Sequence, residues 1–136
     1  MIKVRHSKTR RMVLLDFGGE IGVGDVHDAV QEVGKALGDI GDGYTLVEVF
    51  RDKPHFTIAA AREAGNLAGA CDSGSGIWMV VRVEGDDHCD PGMTILHRTR
   101  WKREVPEVRI GSVGQALALA AEEVREQDGC AIARAA

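Results

Sequence analysis

Aromatic residues are scarce in this chain: Phe, Trp and Tyr together make up 4% of its 136 residues. A surface built to stack bases or sugars needs more of them, so a platform of that kind is not expected. A basic surplus is lacking too. The formal charge of −4 gives the chain as a whole no electrostatic drive toward nucleic acid or anionic lipid. Cysteine is sparse and odd in number. Cys71, Cys89 and Cys130 have no CxxC spacing and read as reduced thiols of a cytoplasmic protein. No stretch approaches the roughly 18 apolar residues of a membrane span. The apolar run MVLLDF behind the basic start is too short for a secretory leader. These absences lead us to expect a cytoplasmic protein with no membrane insertion and no nucleic-acid partner.

What is present is an ordinary globular composition, 44% hydrophobic and 28% charged, at a length that usually forms one domain and buries a core without staples. No repeat or low-complexity linker interrupts it, so one domain over residues 1–136 is expected. Charge is uneven along the chain. Lys3, Arg5, Lys8, Arg10 and Arg11 precede the first acid, Asp16, and a second basic run holds Arg98, Arg100, Lys102 and Arg103.

The alternation in MIKVRHS predicts an edge strand, and RRMVLLDFGG a second strand ended by Gly18 and Gly19. Val26, Val30, Val33 and Leu37 fall on one helical face over residues 25–37, with Asp25 as cap and Gly38 as stop. YTLVEVF (residues 44–50) reads as a buried strand, broken by Pro54. TIAAAREAGNLAGAC reads as a small-residue helix capped by Thr57. GIWMVVRV is apolar almost without break, as in a central strand covered on both faces, which places Trp78 in the core. A short helix from Pro91, a strand in VPEVRIGS, and a last helix with Ser112 and Gln115 in capping-box spacing complete the order. Val113, Leu117, Ala120 and Val124 form the buried face of that last helix. The alternation of strands and helices predicts an α/β fold with a mixed sheet of about five strands and about four helices.

In that order of elements, a Val-Val-Arg-Val strand (Val80 to Val83) leads to Asp90-x-Gly92, then Ile95 and Leu96, then Val108 and a helix around Ala116 and Leu117. Over residues 76–121 this resembles the SpoIIAA-like, or STAS, family of small bacterial proteins. The resemblance implies a non-enzymatic regulatory module that binds another protein. Anti-sigma factor antagonists of that family carry a phosphorylatable Ser in an Asp-Ser-x-Gly turn after the third strand. Here that region reads PHFTIAAAREAG, and Thr57 is its hydroxyl, the candidate phosphosite as well as a plain cap. CDSGSG (residues 71–76) carries similar letters but lies between a helix and the next strand. Its glycines read as helix terminators.

The acidic run Asp86, Asp87, His88, Cys89, Asp90 invites a metal or catalytic reading. Consecutive side chains point apart, however, and the alternate spacing of a calcium loop is missing. Cys89 with His97 supplies half a zinc site, or a nucleophile pair without an orienting group. Neither a metal nor a cofactor is expected, and a Cys-dependent enzyme is the least favoured reading. Asp90 before Pro91 fits a helix cap. The run follows a central strand, at the edge where open α/β sheets bind ligands. The alternative function is therefore a carrier of a small anionic or lipid ligand, with a pocket near residues 84–97 lined by Met79, Met93, Ile95 and Leu96. Arg82 inside MVVRV must pair with an acid such as Glu84 or Glu48, or grip an anion. Candidate binding residues are thus Arg82, Asp86, Asp87, His88, Asp90, His97, Arg98, Arg100 and Trp101. A partner protein would meet the helix after Thr57 and the HRTRWKR segment, and a homodimer stays open. His6, His27 and His55 read as isolated surface residues.

Overall fold

The computed structural model describes residues 1–72, 76–84 and 105–135, with only the backbone given for residues 52, 53 and 131–135. β1 (Ile2–Ser7) and β2 (Met12–Ile21) form an antiparallel hairpin. Every later step is parallel: β3 (Tyr44–Phe56), β4 (Ile77–Glu84) and β5 (Glu107–Ile110) each lie beside the strand before. The sheet order is β1-β2-β3-β4-β5.

Parallel neighbours need crossovers, and right-handed crossovers in a sheet that grows in one direction all fall on the same face. α1 (Val23–Ile40) and α2 (Ile58–Asp72) follow this rule. They pack side by side over Val13, Leu15, Phe17, Leu46, Phe50 and Val80. That winding leaves the other face, with Val47, Val49, Met79, Val81 and Val83, to α3 (Val113–Ala135). Its Ala116 and Ala120 are buried there. Because both faces are covered, β3 and β4 read as nearly unbroken apolar runs. The fold is α/β with a five-stranded mixed sheet. Three helices stand among the described residues, and the one expected from Pro91 lies outside them.

Several boundaries differ from expectation. α1 starts at Val23, with Gly22 at the cap position. Asp25 acts from inside the first turn, its Oδ2 accepting the Gly22 N–H at 2.9 Å. The helix passes Gly38 and ends at Gly41, where φ is +83°. A glycine costs a helix only about 1 kcal/mol, less than burying Ile40 returns. β2 does not stop at Gly18–Gly19 but reaches Ile21, and a register shift at Gly19 (φ +59°) absorbs the irregularity. β3 runs past residue 50 and through Pro54 to Phe56. Among the described residues its pairing with β4 ends at Phe50, so no described neighbour on that side needs the missing Pro54 N–H. The longer strand brings Phe56 to within 6.2 Å of Phe17, which itself stacks on Phe50 at 5.2 Å.

Trp78 is half-buried and lies outside both core clusters. It occupies the register shift at the start of β4, with the Arg11 guanidinium 5.5 Å from its ring. Gly43 (φ +78°) must remain glycine, because a Cβ there would sit 2.3 Å from the indole Nε1. His6, His27 and His55 are exposed but not isolated. His6 meets Asp39 at 2.9 Å, His27 meets Glu63 at 3.7 Å, and His55 meets Glu20 at 3.6 Å.

Candidate functional site

The edge formed by the carboxyl ends of β2 and β3 is the best-described candidate. Thr57 follows β3 there and caps α2 as its sequence predicts. Its Oγ1 accepts the Ala60 N–H at 3.2 Å, and its carbonyl accepts the Ala61 N–H at 2.8 Å. Its own N–H donates to the Ile21 carbonyl at 3.0 Å, which ties the start of α2 to the end of β2. At the far end of α2 the Tyr44 hydroxyl donates to the Cys71 carbonyl. Burial holds that phenol well above its ordinary range, reinforced by negative charge at Cys71, Asp72 and Glu48. α2 is therefore pinned at both ends, and Thr57 sits half-exposed on a fixed mount.

The residues around Thr57 are unusual in composition. Ile58, the first residue of α2, is 77% exposed. Val23, the first residue of the neighbouring α1, is 38% exposed, and Met1 is 49% exposed. Met1 belongs to the same edge, because its ammonium donates to the carbonyls of Gly18 and Glu20 at 2.9 and 2.8 Å. The large apolar side chains exposed among the described residues thus share one edge of the sheet. An aliphatic side chain so open to water gains by meeting another apolar surface.

Arg82 lies elsewhere, on the α1/α2 face of β4, directly across from Glu48 in β3, and both are buried. Its Nη2 donates to Glu107 Oε1 at 2.9 Å, and its Nε stands 3.9 Å from Glu84 Oε1 with no hydrogen-bond partner among the described residues. Its charge is committed to protein carboxylates, and an incoming anion would have to displace Glu107. Of the acids named from sequence, Glu84 is engaged; Glu107 in β5 was not anticipated. Residues Asp86, Asp87, His88, Cys89, Asp90, His97, Arg98, Arg100 and Trp101, and with them the suggested pocket and the Cys89–His97 pair, lie outside the described residues. So do residues 73–75 of CDSGSG, whose Gly76 has φ +101°. Among the described residues no cluster of His, Cys, Asp and Glu could hold a metal ion. No described helix is long and apolar enough to cross a membrane.

No protein-family model and no curated protein matches the chain. Among solved structures it is similar to the anti-sigma factor antagonist SpoIIAA in its unphosphorylated form, with a TM-score of 0.54 and 12% sequence identity. The match covers 92% of this chain and 98% of SpoIIAA. At that identity the likeness establishes the shared fold.

Proposed function

We propose that this chain is a single-domain, non-enzymatic regulatory module that binds a partner protein in the cytoplasm through the edge around Thr57. The observation that carries the reading is Thr57 capping a doubly pinned α2 beside an Ile58 that is 77% exposed. The similarity to an anti-sigma factor antagonist supports it and makes an anti-sigma factor the first partner to try. A phosphate on Thr57 would meet the positive end of the α2 dipole and place about two negative charges beside Ile58. The helix would tolerate that charge, whereas an apolar contact would not. Phosphorylation therefore switches docking off without unfolding the module.

Affinity capture from host lysate with tagged wild type, Thr57→Ala and Thr57→Glu tests this. A stoichiometric protein retained by wild type and Thr57→Ala but lost by Thr57→Glu is the expected result. Thr57→Ala lowers stability by about 1 kcal/mol through the lost cap, so its retention of partner separates docking from folding. Equal capture by Thr57→Glu refutes the switch. Recovery of a lipid or small anion with no protein favours the carrier reading instead.

A further inference from the structure

We propose that the outer face of α2 is a self-association surface, on which two copies of this chain cross antiparallel at Gly65 and Gly69. Both glycines lie inside α2, both are exposed, and a Cβ at either would meet nothing within 4 Å. Neither has the positive φ that requires glycine. Their missing side chains serve no internal contact, although glycine is the poorest helix former after proline. Four residues apart, they share one helical ridge and permit a second helix backbone to approach closely.

Two charges on the same stripe specify what approaches. Arg62 stands three residues before Gly65 and is exposed, and Asp72 stands three after Gly69 and is half-buried. Neither forms an ion pair among the described residues. Asp72 also occupies the last turn of α2, where a carboxylate opposes the helix dipole. Each lies five positions from residue 67, the midpoint of the glycine pair. A two-fold antiparallel crossing centred there brings Arg62 of each copy opposite Asp72 of the other. Such a contact is isologous, satisfying both charges twice over and closing at a dimer. α1 supplies an internal control. Gly34 and Gly38 have the same spacing, exposure and open surroundings, but the positions equidistant from their midpoint pair Gln31 with Gly41 and Glu32 with Ile40. No opposite charges meet there, so α1 has no equivalent partner. The contact on α2 is small, which makes the dimer a weak one.

Sedimentation equilibrium of the intact chain over a range of protein concentrations tests the inference. Wild type should rise in average mass toward twice the chain mass. Gly69→Leu, which improves helix propensity and meets no internal neighbour, should stay monomeric while remaining folded by circular dichroism. Arg62→Asp and Asp72→Arg should each weaken association by about tenfold, and the double variant Arg62→Asp/Asp72→Arg should restore it. Gly34→Leu should behave as wild type. A wild type that is monomeric throughout, a dimer indifferent to Gly69→Leu, or charge swaps that fail to restore each other would overturn the proposal.

Discussion

Tyr44→Phe removes one oxygen from the end of α2, and its consequence should reverse sign with pH. At neutral pH the variant loses the buried hydrogen bond from the Tyr44 hydroxyl to the Cys71 carbonyl. That costs about 1–2 kcal/mol. Tyr44 is fully buried, and burial first, then the negative charge at Cys71, Asp72 and Glu48, raises the phenol pKa above its ordinary 10.0. A group whose pKa is raised on folding contributes its full stability below the unfolded pKa and loses it as pH climbs toward the folded one. From about pH 10 upward the unfolded chain releases this proton while the folded chain keeps it. Wild type therefore loses about 1.4 kcal/mol by pH 11 and about 2 kcal/mol by pH 11.5, a loss that phenylalanine escapes. Other alkaline titrations are common to both proteins and cancel in the difference. Urea unfolding of the pair from pH 8 to 11.5 should show wild type ahead at neutral pH and the two curves meeting near pH 11. The chain has a single tyrosine, so tyrosinate absorbance follows the same group directly. A gap independent of pH, or a native-state tyrosinate midpoint near 10, would refute the reasoning.

Two further substitutions probe the sheet interior. Arg82→Met should destabilise by about 1.5–3 kcal/mol in chemical denaturation, because it removes the charged hydrogen bond from Arg82 to Glu107 at 2.9 Å. Adding Glu107→Gln should recover part of that loss, and the absence of any recovery would mean that the pair is not coupled. Thr45→Val exchanges a fully buried hydroxyl with no hydrogen-bond partner among the described residues for a methyl group of the same shape. It should leave stability unchanged or raise it by about 1 kcal/mol, and a clear loss would reveal a partner for the Thr45 hydroxyl.

The elements legible in the sequence are those whose signals are local. Thr57 and Ser112 were read as caps from position and residue type, and each hydroxyl oxygen accepts the N–H three residues on, at 3.2 Å. The unbroken apolar run of β4 marked a strand covered on both faces because burial on two sides erases alternation. What escaped depends on register. Glu107 lies opposite Val80 in the β4–β5 ladder, diagonal to Arg82, and no spacing rule in the chain announces that pairing. Trp78 was placed in the core because its neighbours are apolar. A one-residue shift between β3 and β4 instead turns it toward Gly43 and Arg11. Pro54 and the Gly18–Gly19 pair looked like terminators, and each is tolerated for a reason only the sheet supplies: a side with no described ladder partner beyond Phe50, and a bulge.

The direction of winding also explains why the apolar exposure gathers at one edge. Because β2, β3 and β4 run parallel, they all end on that edge, and α1 and α2 begin on it side by side. Each of these helices opens with a residue that has no turn before it to pack on, Val23 in one and Ile58 in the other. Under the proposed function, these aliphatic residues would meet an apolar surface brought by the partner. The N-terminal ammonium extends the same edge, anchored to the carbonyls of Gly18 and Glu20 with Met1 beside them. Under the proposed function, Thr57 stands within this group as a residue through which a single phosphate could change the character of the edge, since its hydroxyl already engages the backbone of α2 and its side chain remains half-exposed.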